Sequence, residues 1–190
     1  MEKLYACIDL KTFFASVECV ERNKDPFQTA LVVADESRGK GAICLAVSPY
    51  MKAQGVRNRC RLYEIPCDMN YICALPRMKL YMEYSANIYA IYLKYIAKED
   101  IHVYSIDEAF VDMTGTEGLW GDPVTAAYRM KDQIRDTLGF TVNIGISENK
   151  LLAKMASDFQ KPDRVHTLWH NEIEDKMWPL PVSELFFVGR

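Results

Sequence analysis

Hydrophobic residues follow two periods along the chain, and each change of period marks a predicted element. Short β-branched and aromatic runs predict strands at "KLYACID", "TALVVAD", "GAICLAVS", "IHVYSI", "AFVDM" and "FTVNIGIS". Apolar residues three and four apart predict helices in "TFFASVECVER", over 77–97, in "GDPVTAAYRMKDQIRDTLG" and in "ENKLLAKMASDF". With residues 10–76 left out, the order is strand, helix, strand, strand, helix, strand, which is typical of a ferredoxin-like α+β fold.

Polar residues at the helix starts refine these boundaries. Ser48 and Pro49 predict the N-cap and first residue of a short helix in "SPYMKAQG", and Asp122 and Pro123 do the same further along. Ser147 is expected to cap the following helix. In the helix over 77–97 one stripe is expected to face the core, and it consists of Met78, Tyr81, Met82, Ser85, Ile88, Tyr89, Tyr92 and Ile96. The alternative is that the tyrosines of this stripe stack on bases.

Three acids stand at strand ends, where a buried carboxylate would need compensation. Asp107 and Glu108 interrupt the apolar run "HVYSIDEAFVDM", and Asp9 ends the first strand. In the ferredoxin-like order the first strand ends at the same sheet edge as the hairpin between the next two strands, so these acids should meet. Carboxylate oxygens favour Mg²⁺ or Mn²⁺. The alternative is that the Asp-Glu pair is an ordinary solvated turn.

Composition describes an ordinary soluble globular protein: 190 residues, 49% hydrophobic, 26% charged and a net charge of -3. No apolar run is long enough to span a membrane, the N-terminus does not resemble a signal peptide, and the cysteines form no CxxC pair. We therefore expect reduced thiols and a cytoplasmic location. The negative charge argues mildly against nucleic-acid binding, although clustered acids can mask basic patches.

Four motifs, in order, resemble those of Y-family translesion DNA polymerases, most closely the bacterial UmuC-like branch. They are "CIDLKTFFASVE" (7–18), "AVSPYMKAQGV" (46–56), "YSIDEAF" (104–110) and "ISENKLLAKMASDFQKP" (146–162). The resemblance implies a catalytic palm over residues 1–18 and 77–166 and a small inserted fingers domain over 19–76. It also implies that 167–190 begin a helical thumb, truncated here, and that the little-finger domain is absent.

The resemblance also implies roles for single residues. Asp9, Asp107 and Glu108 match the catalytic carboxylates that hold two Mg²⁺ ions, and the carbonyl of Leu10 matches a backbone ligand. The side chains matching nucleotide-binding positions are Phe14, as the steric gate under the deoxyribose, with Phe13, Ser48, Lys52 and Lys161. Pro49 and Lys52 stand where many members have Tyr and Arg, which weakens the expected grip on the triphosphate.

Basic residues suggest where DNA would be held. Arg57, Arg59 and Arg61 alternate in "VRNRCR", so in an extended segment they would share one face toward template phosphates. A solvated loop is the equal alternative. Lys150 and Lys154 are further candidates for phosphate contacts. Short side chains at Ala42, Cys44, Ala46 and Ser48 suggest fingers that close loosely on the base pair.

The resulting hypothesis is a lesion-bypass DNA polymerase core acting on primer–template DNA and a dNTP. A sliding clamp or accessory protein would bind through regions outside this chain. Three rivals remain open: a palm-fold nucleotidyl cyclase, an RNA-binding ferredoxin-like module, and a folded but inactive UmuC-like fragment with a non-enzymatic binding role. The cyclase would leave the inserted domain unexplained, and the RNA-binding module requires aromatics where this chain has carboxylates.

Overall fold

A computed structural model describes residues 3–160 and 162–188. The chain folds as two compact units, each made from separate stretches of sequence. The large unit comprises Met1–Lys11, Asn87–Thr137 and Thr141–Arg190, and the small unit comprises Thr12–Ala86 and Leu138–Phe140. Residues 12–18 and 77–86, which the sequence groups with the palm, thus belong to the small unit by their contacts.

Strands and helices are interspersed along the described residues. The strands are β1 (Tyr5–Asp9), β2 (Leu31–Val33), β3 (Ala46–Val47), β4 (Ile72–Ala74), β5 (Ile101–Ser105), β6 (Glu108–Asp112), β7 (Asn143–Ser147) and β8 (Val165–Thr167). The α-helices are α1 (Phe13–Val20), α2 (Pro49–Ala53), α3 (Met78–Tyr92), α4 (Glu117–Trp120), α5 (Pro123–Leu138), α6 (Lys150–Ser157) and α7 (Ile173–Lys176). Short 3₁₀ turns lie at Glu36–Arg38, Leu62–Glu64, Lys98–Asp100, His170–Glu172 and Val182–Glu184. Among the described residues no helix is both long and apolar enough to cross a membrane.

The large unit is built on a five-stranded sheet of order β5-β6-β1-β7-β8. Strand β1 pairs antiparallel with both β6 and β7, and β5 pairs antiparallel with β6. This is the ferredoxin-like arrangement expected from the sequence. Strand β8 adds a parallel edge beside β7. The central position of β1 places its last residue beside the β5–β6 hairpin.

Helix α6 packs on β7 and β1, and a glycine allows it to lie unusually close. A Cβ atom on Gly145 would come within 2.1 Å of the Ala153 carbonyl oxygen and 2.2 Å of the Ser157 nitrogen. Only a residue without a side chain fits there. The other side of α6 carries Leu152 and Met155, against which the segment that follows β8 packs through Ile173, Leu180 and Phe186.

The small unit encloses its own apolar core under a three-stranded sheet of order β3-β2-β4. Helix α1 packs against β2 and β3. Three of the cysteines belong to this core, with Cys44 and Cys60 buried and Cys73 partly buried, and the described cysteines form no disulfide with one another.

Two sequence-based predictions, one about a strand and one about a helix face, need correction. "GAICLAVS" forms a strand only at Ala46–Val47, and Ile43 makes an isolated bridge with Arg61 instead of a continuous ladder. The predicted stripe on α3 is broken, because Tyr81 and Ile88 are buried whereas Met78 and Met82 are 46% and 59% exposed. Helix α3 runs from the small unit into the large one after Ala86, so no single face must stay buried along its length.

The predicted cap at Ser147 is also wrong. Ser147 lies at the end of β7, where its buried hydroxyl contacts the Leu168 carbonyl oxygen at 2.5 Å. Asn149 caps α6 instead, and its side-chain oxygen accepts a hydrogen bond from the Leu152 N–H at 2.9 Å. The predicted caps at Ser48 and Asp122 are confirmed.

Candidate active site

The end of β1 and the β5–β6 hairpin meet at one edge of the large sheet. In the register of the β1–β6 pair Asp9 lies directly opposite Glu108. Just beyond, the Leu10 N–H donates to the Asp107 carbonyl oxygen at 2.8 Å. Residues far apart in the sequence are thus neighbours, as the strand order predicts. We call this group, Asp9, Asp107 and Glu108, the carboxylate edge.

A buried lysine supplies the positive charge between two of these acids. The ammonium of Lys154 lies 2.8 Å from an Asp9 carboxylate oxygen and also pairs with Glu108. Its side chain is only 7% exposed, as is that of Asp9. Burial alone would lower the pKa of Lys154, but the carboxylates around it raise the pKa well above its ordinary value. Lys154 is therefore a charged partner of the edge and not the phosphate-contacting residue expected from the sequence.

Two further charged residues extend this network. Lys11 pairs with Asp9 and lies 2.8 Å from Asp158, while Lys154 lies 3.2 Å from Asp158. Asp158 stands four residues after Lys154, at the end of α6, so both face the same direction on the helix. Burial raises the pKa of Glu108 above its usual range, although Lys154 opposes this shift.

The third acid of the edge is held differently. Asp107 lies in the tight turn between β5 and β6, where its carboxylate accepts a hydrogen bond of 2.7 Å from the Ser105 hydroxyl. Within residues 3–160 and 162–188, no three acidic, histidine or cysteine side chains are grouped closely enough to hold a metal ion. The expected convergence of all three carboxylates is therefore not met in this structure. The ammonium groups of Lys11 and Lys154 lie beside the carboxylates of Asp9 and Glu108.

The aromatic pair at the start of α1 divides into one buried and one partly exposed ring. Phe13 is 2% exposed, and its ring packs edge-to-face on Phe140 with centroids 5.9 Å apart. Phe14 is half-buried and stacks on Tyr81, with centroids 4.4 Å apart and planes 15° from parallel. Phe14 can meet a ligand, whereas the expected nucleotide contact by Phe13 conflicts with its place in the core.

Ser48 serves the fold of the small unit. Its hydroxyl is buried, donates to the Thr29 carbonyl oxygen at 2.7 Å and accepts from the N–H groups of Leu31 and Met51, each at 3.3 Å. A hydroxyl has one proton and two lone pairs, so these bonds use its full capacity. The expected nucleotide contact by Ser48 is therefore replaced by capping of α2. Lys52 is half-buried on α2, and Lys161 lies outside the described residues.

The arginine segment is not the extended strand that the alternation suggested. Arg59 has a φ of 58°, which turns the chain between Arg57 and Arg61. The Arg61 guanidinium donates to the Gly41 carbonyl oxygen at 2.6 Å, so it supports the neighbouring loop. Arg57 and Arg59 remain exposed. The three arginines therefore do not share one face of an extended segment, which was the reason to expect them to contact phosphates together.

Large side chains, not short ones, cover the exposed side of residues 42–48. Ala42, Cys44 and Ala46 point into the core of the small unit, whereas Ile43 and Leu45 are each 47% exposed. The prediction of loosely closing fingers relied on Ala42, Cys44 and Ala46, which are buried. The residues that a ligand would meet here are Ile43 and Leu45.

The model of the impB/mucB/samB family matches residues 8–158, which contain the carboxylate edge and most of both units. The chain belongs to this family. Among its relatives, DNA polymerase IV of Clostridium acetobutylicum is 37% identical over all of this chain and 49% of its own length. DNA polymerase IV 2 of Bacillus subtilis is 36% identical over 99% of this chain and 46% of its own length.

Solved structures agree with this assignment. A Y-family DNA polymerase chimera superposes with a TM-score of 0.85 and 26% identity, over 98% of this chain and 54% of that one. The resemblance to Y-family polymerases and the α+β fold class are thus confirmed. This impB/mucB/samB chain spans about half the length of the curated relatives it matches.

Sequence reasoning about this impB/mucB/samB chain missed Lys11 and Asp158 and assigned Lys154 to the wrong ligand. The available signal was the order of elements. The helix that follows β7 must cover the neighbouring β1, so a lysine within its apolar face would reach the acid that ends β1. The spacing of four residues between Lys154 and Asp158 was a second signal.

Proposed function

We propose that this chain is the nucleotidyl-transfer part of a DNA-directed DNA polymerase of the lesion-bypass type. The observation that carries the proposal is the opposition of Asp9 and Glu108 at the edge of the ferredoxin-like sheet, within a chain of the impB/mucB/samB family. The proposed ligands are primer–template DNA and a deoxynucleoside triphosphate. In the reaction, a primer 3′ oxygen forms a bond to the α-phosphorus while the bond to the pyrophosphate oxygen breaks.

The residues of the edge fit hard divalent cations in their donor chemistry. Carboxylates of Asp9, Asp107 and Glu108 and the carbonyl of Leu10 offer only oxygen atoms, the ligands that Mg²⁺ and Mn²⁺ prefer. Two ammonium groups already gather at Asp9, which supports the view that this edge attracts positive charge. When bound, two such ions would favour deprotonation of the attacking hydroxyl and neutralise the leaving pyrophosphate. Both the ion identity and the number of ions are part of the proposal.

The protein's own residues position groups and balance charge. Lys154 and Lys11 balance the charge of the Asp9 carboxylate at the sheet edge. Ser105 orients the Asp107 carboxylate through its hydroxyl. Phe14 is proposed to lie against the deoxyribose and to exclude a 2′ hydroxyl by contact, while Lys52 and Lys161 are proposed to neutralise triphosphate charge.

Substitution at the edge tests this function in the full-length protein. Glu108→Gln keeps the shape of the side chain and removes its charge, so primer extension should fall about 100-fold or more if the carboxylate stabilises the transition state. Asp107→Ala should abolish extension with the fold intact. Asp100→Asn alters an exposed acid shortly before β5 and serves as the matched control, with activity expected to be unchanged.

Thermal melting of each variant separates lost chemistry from lost folding. A Glu108→Gln protein that melts normally and still extends primers at the wild-type rate would contradict the proposed role of the edge. A full-length wild-type protein that binds DNA but adds no nucleotide would overturn the proposal and favour a non-enzymatic binding role.

A further inference from the structure

The partly exposed ring of Phe14 rests on a tyrosine that is itself fixed by a buried carboxylate. The Tyr81 ring stacks on Phe14, and its hydroxyl donates a 2.8 Å hydrogen bond to Glu18. Phe14 and Glu18 are four residues apart on α1, so they lie on the same side of that helix, one turn from each other. Tyr81 belongs to α3 and contacts both residues, Phe14 through its ring and Glu18 through its hydroxyl.

Glu18 is an unusually well-fixed anchor for this contact. Its side chain is fully buried, and Arg77 binds it with two parallel hydrogen bonds of 2.9 and 2.8 Å, while Arg22 also pairs with it. Burial alone would raise the pKa of Glu18, but the bonds from Arg77, Arg22 and Tyr81 bring the pKa below its ordinary value. A charged acceptor held by a planar guanidinium has little freedom to move.

We propose that Tyr81, anchored by Glu18, is a positioning residue that fixes the ring of Phe14 and thereby sets how strictly the protein excludes ribonucleotides. Exclusion by contact requires a ring that cannot yield, because a ring free to change rotamer could make room for a 2′ hydroxyl. Side chains that act through geometry need their rotamers locked by the residues behind them. This inference rests on the proposed function and on Phe14 as the sugar-contacting residue.

The chain offers a matched control one turn further along α3. Tyr84 donates a 2.8 Å hydrogen bond to Glu21, so a Tyr→Phe change there removes the same kind of contact. Its ring lies near Phe140, with centroids 6.1 Å apart, and among the described rings it does not stack on Phe14. Tyr84→Phe thus controls for the loss of one tyrosine–glutamate bond in the same helix.

Single-nucleotide insertion by the full-length protein tests the proposal, with kcat and KM measured for a dNTP and for the matching rNTP. Tyr81→Phe keeps the stacking ring but removes its anchor. We expect dNTP-over-rNTP discrimination to fall about tenfold, equivalent to about 1.4 kcal/mol. The dNTP kcat/KM should stay within about threefold of wild type. In this variant Arg77 and Arg22 still pair with Glu18, so the surrounding fold is expected to be unchanged. Tyr84→Phe should leave the discrimination ratio unchanged.

A double-mutant cycle shows whether Tyr81 acts through Phe14. Once Phe14→Ala has removed the gate, adding Tyr81→Phe should produce no further loss of discrimination. Three results would overturn the inference: an unchanged ratio in Tyr81→Phe, an equal loss in Tyr84→Phe, or full additivity in the double variant. Each of these leaves the polymerase proposal intact, whereas a wild-type protein that inserts neither nucleotide would overturn that proposal as well.

Discussion

Buried acids at two places in this molecule are neutralised by different basic residues. At the carboxylate edge Asp9 and Glu108 share the ammonium of Lys154, which is a point charge on a flexible stem. Glu18 in the small unit is held by the planar fork of Arg77. A fork fixes the orientation of its partner and a point charge does not. The difference suits a rigid support at Glu18 and an adjustable charge balance at the edge.

Removal of the shared ammonium should reveal how much stability it contributes. In Lys154→Met the stem is kept, but Glu108 loses its pairing with Lys154, and Asp9 keeps its pairing with Lys11. Breaking a buried ion pair by removing one partner costs about 3–5 kcal/mol, because the remaining charge is left buried. Urea unfolding at pH 7 should show a loss of this size in the free energy of unfolding.

Lys150 provides the control for that measurement. It lies one turn earlier on α6, is exposed, and approaches the Tyr5 ring at 5.7 Å. Lys150→Met should therefore cost no more than about 1 kcal/mol. If Lys154→Met and the wild type have the same free energy of unfolding, the ion pairs at the edge contribute less stability than their burial suggests.

Local signals explain which elements of the fold were predictable. The caps at Ser48 and Asp122 use only neighbouring residues, and both are confirmed. The strand order followed from periodicity and from the rule that crossover-connected strands run parallel. The same reasoning brought Asp9 to Glu108, although these residues are distant in the sequence.

Contacts made by other elements explain what the sequence did not reveal. Whether Met78 faces the core depends on what packs against the start of α3, and periodicity carries no such information. The inward direction of Ala42 and Cys44 depends on which face of an irregular segment is covered. Lys154 resembled a solvated helix residue because its partners come from β1 and β6.

The close contact between α6 and β7 gives a sharp prediction at the scale of elements. In Gly145→Ala the new methyl group would meet backbone atoms of α6, which cannot rotate away as a side chain can. Overpacking usually costs about 1–3 kcal/mol, and we expect the upper end of this range or failure to fold. Movement of α6 would also displace Lys154 from Asp9.

Gly118 in α4 is the matched glycine, because a Cβ atom there meets nothing within 4 Å. Gly118→Ala should be neutral or stabilising by up to about 1 kcal/mol. Thermal and urea unfolding of both variants make the comparison. A Gly145→Ala protein as stable as Gly118→Ala would mean that α6 can shift freely on the sheet.

At the scale of the whole molecule, charge limits how strongly this chain can hold DNA. Its net charge is -3, and it spans about half the length of the relatives it matches. Two of the basic residues proposed for phosphate contacts are engaged elsewhere, since Lys154 pairs with acids and Arg61 binds the Gly41 carbonyl. Arg57, Arg59 and Lys150 are exposed, and Arg61 is exposed too but already binds the Gly41 carbonyl.

We therefore expect this 190-residue chain to bind primer–template DNA only weakly and to extend primers poorly. Affinity for duplex DNA rests largely on neutralised phosphates, and non-specific contacts give a Kd of about 10⁻⁴–10⁻⁶ M at physiological salt. A fluorescence titration at several salt concentrations measures both the affinity and the number of phosphates contacted. If Arg57, Arg59 and Lys150 are the residues that contact phosphates, the slope of log K against log salt should be no steeper than about -3. Arg57→Ala should make that slope shallower, whereas Arg61→Ala should chiefly destabilise the small unit. Nanomolar binding by the chain alone would show that these two units provide the main grip on DNA and that net charge is a poor guide to it.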